Sequence, residues 1–220
     1  MGELGDLYAQ GRGRIIELVT DADPDTRVPT CPLWSVQNVL AHVAGIPADI
    51  LAGNVEGAAT DPWTAAQVDA RRDKTIAEIV AEWLETGPRV DDMIDSFGRT
   101  GAQLLLDLTT HEHDIRLALG RPGERDAPVL DIALDFIAGG FGTFVDQPLA
   151  VEADGRSWRF GDGTPTTTLR GSRFDVVRAF TGRRSRTQVE SMDWSGDPSM
   201  FVPQLEYGPF TVPADDVPET

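Results

Sequence analysis

The stretch LLLDLTTHEHDIRLAL, Leu104 to Leu119, decides how this chain is read. Its apolar residues recur at helical spacing, and Gly120-Arg121-Pro122-Gly123 stops it, so it is expected as a strong helix. Asp107 and His111 inside it stand four residues apart. That spacing is about 400° of helical rotation, so the two side chains share one face. Upstream the pattern is also helical. Leu7, Ile15, Ile16, Leu18 and Val19 form an apolar stripe weakened by Gly11 and Gly13. Ser35 is a good N-cap for a helix through Val36, Val39, Leu40, Val43 and Ala44. Gly53–Pro62 reads as a loop, and Ile76, Ile79, Val80, Trp83 and Leu84 as the core face of a helix punctuated by Gly87-Pro88. A looser apolar segment runs from Val129 to Val145. Long helices joined by modest loops predict an antiparallel bundle.

After Pro148 the period changes. Leu149–Ala153 and Ser157–Phe160 flank Asp154-Gly155 as a β-hairpin, Thr166–Leu169 reads as a third strand, and Ser172 caps a helix from Phe174 to Phe180. The expected organisation is mainly α: a bundle over 1–147, a small α+β unit over 148–206, and an acidic, proline-rich and loosely held tail over 207–220.

Composition narrows the function. The 220 residues carry 19 Lys+Arg against 36 Asp+Glu, a formal net charge of -17. Phosphate contacts need a basic face, so nucleic acid is disfavoured as a partner, and an anionic membrane surface likewise. No apolar run approaches the roughly 20 residues that span a bilayer, and no apolar signal core follows Met1, so a cytoplasmic protein is expected. The single cysteine, Cys31, excludes an internal disulfide. With no base adjacent in sequence, it reads as a small buried apolar residue rather than a nucleophile.

The chain has only three histidines: His42, His111 and His113. His42 lies mid-helix, and a helix facing it with Asp107 and His111 would bring His, Asp and His to one point, as helical bundles commonly do for metals. Imidazole and carboxylate suit zinc, with nickel next, and three ligands leave a position open. A helix salt bridge and a hydrogen-bonded core histidine account for the same spacing. His113 points to another face, Glu112 is displaced by about 100° from His111, and Asp114 is placed either to orient His111 or to face solvent. Arg183, Arg184 and Arg186 form a basic cluster that either offsets the acidic excess or binds a carboxylate-bearing substrate.

The segment Pro29–Val36 (PTCPLWSV), followed by Leu40–Gly45 (LAHVAG), resembles the Pro–Gly–Trp–Thr–Val…His–Leu–Ala segment of the mycothiol-dependent maleylpyruvate isomerase family, within the wider DinB-like metalloprotein superfamily. Asp107–Ile115 resembles that family's Glu-x-x-x-His-x-x-Asp segment, and Phe180-Thr181-Gly182-Arg183 a third, weaker one. The resemblance implies a DinB-like four-helix bundle with a small C-terminal α+β domain. It also implies a divalent metal, zinc or nickel, on His42, Asp107 and His111, with Asp107 standing where the family has glutamate. Arg183 maps to the catalytic arginine, with Arg184 beside it. The implied activity is metal-dependent use of mycothiol as thiol cosubstrate, in S-transfer or thiol-assisted isomerisation of a small electrophile, by a monomer or homodimer. Transfer is the expected leading reaction. The alternative is a non-catalytic metal- or ligand-binding module on the same scaffold.

Overall fold

Two helices begin with the same device. Ser35 Oγ accepts from Asn38 N while the Asn38 side chain accepts from Ser35 N, opening α2 (Val36–Ala52). Thr75 and Glu78 do the same at α4 (Ile76–Asp91). Each reciprocal pair satisfies donors that the first helical turn leaves open. The computed structural model describes residues 2–219 and is mainly α-helical, with two small sheets. Its described residues fall into two compact units, one ending at Gly123 and one starting at Glu124.

In the first unit α1 (Glu3–Val19) packs on α4 and on α5 (Arg99–Leu119), and α2 packs on α4 and α5. Ile15, Val39, Leu40, Ile79, Trp83, Leu105 and Ile115 meet in its core, each fully buried. Burying such side chains stabilises by roughly 1.5–3 kcal/mol each. Gly87-Pro88 does not end α4, contrary to expectation; the helix continues to Asp91. Gly87 leaves room for the Arg12 side chain of α1, which a Cβ would meet at 2.5 Å. Arg12 then clamps Asp91 with two bonds of 2.7 and 2.6 Å, holding the turn beyond the proline. A further helix, α3 (Asp61–Asp69), begins at the end of the Gly53–Pro62 loop and packs on α2. Ahead of α2, β1 (Arg27–Val28) and β2 (Cys31–Ser35) pair antiparallel.

The second unit holds α6 (Val129–Phe141), which the sequence reading had placed in the bundle. Here α6 packs on β4 (Arg156–Phe160) and α7 (Arg173–Phe180), so the division lies ahead of it rather than near Val145. Phe141, Phe160 and Phe180 meet edge to face at its centre. The hairpin is present: β3 (Leu149–Ala153) pairs antiparallel with β4 across Asp154-Gly155, a turn pair suited to two-residue loops. β3 also pairs in parallel with β5 (Thr167–Gly171), which meets the short β6 (Asp193–Trp194). Between them run α7 and α8 (Arg186–Glu190).

The expectation of a loosely held tail is overturned. Glu219 accepts from Arg178 Nε at 2.8 Å and from Arg184 Nη1 at 2.5 Å, and Gln188 Nε2 donates to Val217 O at 2.8 Å. Arg178 is wholly buried, so its charge requires a buried carboxylate, and Glu219 supplies one.

Candidate metal centre

The centre lies wholly within the first unit. α2 contributes His42, and α5 contributes Asp107 and His111, four residues apart on one face. His42 Nε2 is 3.4 Å from one carboxylate oxygen of Asp107, and His111 Nε2 is 3.7 Å from the other. One donor atom from each of the three residues lies within 4.8 Å of the other two. Ligand bonds near 2.1 Å give a tetrahedron with edges of about 3.4 Å, so the separations suit one small divalent ion. The donor set fits: two neutral imidazoles and one carboxylate.

The groups behind the imidazoles fix which nitrogen is free. His111 Nδ1 lies 3.1 Å from Asp114 Oδ2. A carboxylate only accepts, so Nδ1 carries a proton, and in the neutral ring that a metal ligand requires Nε2 is then the nitrogen with the lone pair. Asp114 is wholly buried and also accepts from Thr30 Oγ1 at 2.8 Å and from Cys31 Sγ at 3.6 Å. Of the two placements open for Asp114, orientation of His111 is the one the fold adopts.

His42 is held differently. Its Nδ1 is 2.7 Å from Gln67 Oε1, and Gln67 Nε2 donates to Asp49 Oδ2 at 2.7 Å. The bond to Asp49 sets the amide orientation, so Oε1 must accept from His42 Nδ1–H. Gln67 reaches this place because α2 has Gly45, where a Cβ would sit 2.8 Å from the Gln67 Cβ and from Arg71 Nη1. Arg71 Nη1 donates to Gln67 O and its Nε to Glu82 of α4, bracing the end of α3. Sequence reasoning missed Gln67, because α3 carries no apolar stripe to announce a helix.

Trp34 was also missed as a site residue. From β2 its ring lies 5.5 Å from His42 and stacks at 6.0 Å on His111, covering one side of both imidazoles. Tyr8 of α1 is buried; desolvation, and next the Asp107 charge, raise its phenol above the ordinary value, so it is neutral at physiological pH.

The remaining candidates stand apart. Glu112 is wholly buried, taken by Arg14 Nε at 2.9 Å and Arg116 Nη2 at 2.8 Å. His113 is buried but belongs to neither donor group found among the described residues. Arg183 sits in the second unit just after α7, with its Nη1 donating to Thr181 O at 2.6 Å. Arg184 is engaged with Glu219 and Asp175. Cys31, with His111 and Asp114, forms a second group of donor atoms within 4.8 Å of one another.

A mainly helical protein with a His–Asp–His donor set on two facing helices is thus defined. Residues 9–119 match the model of the mycothiol maleylpyruvate isomerase N-terminal domain, and the chain belongs to that family. Two solved structures resemble it. One is the mycothiol-dependent maleylpyruvate isomerase in a histidine-to-alanine mutant form, at 13% identity and TM-score 0.61. The other is the mycothiol-dependent maleylpyruvate isomerase itself, at 14% and 0.56; each likeness covers 88% of this chain and 92% of the other. At those identities they establish the fold. No curated protein matches at a significant level. No helix among the described residues is long and apolar enough to cross a membrane.

Proposed function

We propose that this chain is a cytoplasmic, divalent-metal, thiol-dependent enzyme on a DinB-like four-helix bundle, with His42, Asp107 and His111 as the ion's ligands. The observation that carries the reading is the convergence of two Nε2 lone pairs on one carboxylate, each imidazole fixed from behind. A zinc or nickel ion bound there supplies Lewis acidity that keeps a low-molecular-weight thiol ionised at neutral pH. Asp107 brings a single negative charge and the imidazoles none, which leaves a divalent site electrostatically open to one anionic thiolate. Gln67 and Asp114 keep the Nε2 atoms aimed inward, and Trp34 restricts approach to one side. The thiol proposed from family membership is mycothiol.

The thiolate attacks a small electrophile. In transfer it displaces a leaving group, which departs with the electron pair of the broken bond. In isomerisation it adds to a double bond conjugated to a carbonyl, whose oxygen holds the electron pair as an enolate while the new single bond rotates. Return of that pair expels the thiolate unchanged. Family membership favours the second course over the transfer expected from sequence alone. Arg183 as the holder of an anionic substrate group rests on the resemblance alone. The test supplies zinc-loaded protein with mycothiol and maleylpyruvate, then a panel of other electrophiles. Isomerisation with the thiol recovered supports the isomerase; stoichiometric thiol loss supports a transferase. Arg183→Ala raises KM for an anionic electrophile if its assignment holds. Metal binding without thiol binding marks a non-catalytic module and overturns the proposal.

A further inference from the structure

Cys31 is placed where no helix pattern would put a ligand. It lies on β2, half-buried, with Sγ 3.6 Å from Asp114 Oδ2. His111 Nδ1 lies 3.1 Å from the same oxygen. A tetrahedral ion with a sulfur bond near 2.3 Å and an oxygen bond near 2.1 Å separates those ligands by about 3.6 Å, and a nitrogen–oxygen pair by about 3.4 Å. His111 and Asp114 are buried and Cys31 is half-buried, so an ion entering beside Cys31 would find three donors already assembled.

We propose that Cys31 Sγ, His111 Nδ1 and the Asp114 carboxylate form a second cation site, selective for thiophilic divalent ions and competing with the first for His111. Binding releases the thiol proton to solvent and moves the single ring proton of His111 from Nδ1 to Nε2, so the ring stays neutral as the sulfur and Nδ1 lone pairs turn to the ion. A neutral His111 bound through Nδ1 carries its proton on Nε2, facing Asp107, and is lost as a ligand to the first set. The two sets are therefore alternatives, and thiolate softness decides the partition: cadmium favours the Cys31 set over a set of imidazoles and a carboxylate. The second site stands on its own donors; only the competition rests on the proposed role of the first set.

The test titrates Cd2+ into metal-free full-length protein at neutral pH and follows near-ultraviolet absorbance. Cys31 is the single cysteine, so a thiolate-to-cadmium band reports it alone. The band is expected to saturate at one ion per chain, to persist in His42→Ala and Asp107→Asn, and to vanish in Cys31→Ser and His111→Ala. Circular dichroism checks that each variant is folded. A wild-type titration without the band overturns the site. So does loss of the band in folded His42→Ala, since the sulfur would then serve the first set's ion. Two cadmium ions held together by one chain would overturn the competition. Zinc affinity of Cys31→Ser, expected to be retained while His42→Ala loses it, judges the first set separately.

Discussion

Asp107 is one methylene shorter than the acidic residue of the family pattern, yet its carboxylate lies within 3.4 and 3.7 Å of the two imidazole nitrogens. Asp107→Asn keeps the shape and removes the charge, so zinc affinity measured against a chelating dye should fall well below wild type. Asp107→Glu should hold or exceed it. Equal affinity in all three proteins would move the acidic ligand elsewhere. Gln67 affords a sharper distinction, because it never touches the ion in this assignment. Gln67→Ala leaves the His42 tautomer unset and should weaken zinc by about 10–100-fold, the usual cost of losing a group behind a ligand. Gln67→Glu still accepts from Nδ1–H but sets a second carboxylate against Asp49, so it should recover the loss only when paired with Asp49→Asn, which supplies the missing donor. Nitrogen chemical shifts of His42 in metal-free protein check the tautomer directly. His113→Ala should leave zinc content unchanged.

The site depends on how helices are held together, and one buried clamp lies away from it. Arg12 and Asp91 tie α1 to the end of α4 through two buried bonds. Removing one partner strands a buried charge, so Asp91→Ala should cost about 3–5 kcal/mol in denaturant unfolding. Metal stoichiometry of the folded fraction should not change. At this scale α2 and α5 were legible, because an N-cap at Ser35 and apolar periodicity from Leu104 mark them in the chain itself. The short elements were not. β2 and α3 are brief and lack a repeating apolar face, so local pattern could not announce them, although they carry Trp34, Cys31 and Gln67. Asp107 and His111 could be paired from their spacing, whereas Gln67 meets His42 only through a contact 25 residues away. α6 looked like another bundle helix because its apolar face does not say which surface will cover it.

For the molecule as a whole, an ion that binds only the folded chain adds stability by mass action, about 4 kcal/mol at a thousandfold excess over Kd. Chelation should therefore lower Tm with little change in helical content; an unchanged Tm after proven metal loss would separate the centre from folding. Alkaline pH acts through two tyrosines. Burial raises the phenols of Tyr8 and Tyr207 above the ordinary value of 10.0. The unfolded chain releases these protons first, so their contribution is intact below pH 10 and declines as pH rises beyond it. Tyr8→Phe and Tyr207→Phe should each flatten that decline in Tm. The acidic tail shows why composition misled: few apolar anchors predicted looseness, but the buried Arg178 needs Glu219. Glu219→Ala should destabilise the second unit while zinc content holds.

Trp34 makes the centre optically visible. An indole 5.5 to 6.0 Å from two imidazoles exchanges excited-state energy and charge with whatever those rings hold, so its emission is a built-in gauge of occupancy. Four other tryptophans contribute background, and a difference spectrum against Trp34→Phe isolates the signal. A paramagnetic ion such as nickel should darken that component strongly, and zinc should alter it far less. One fluorescence trace would then distinguish the two metals inside an intact, unlabelled chain.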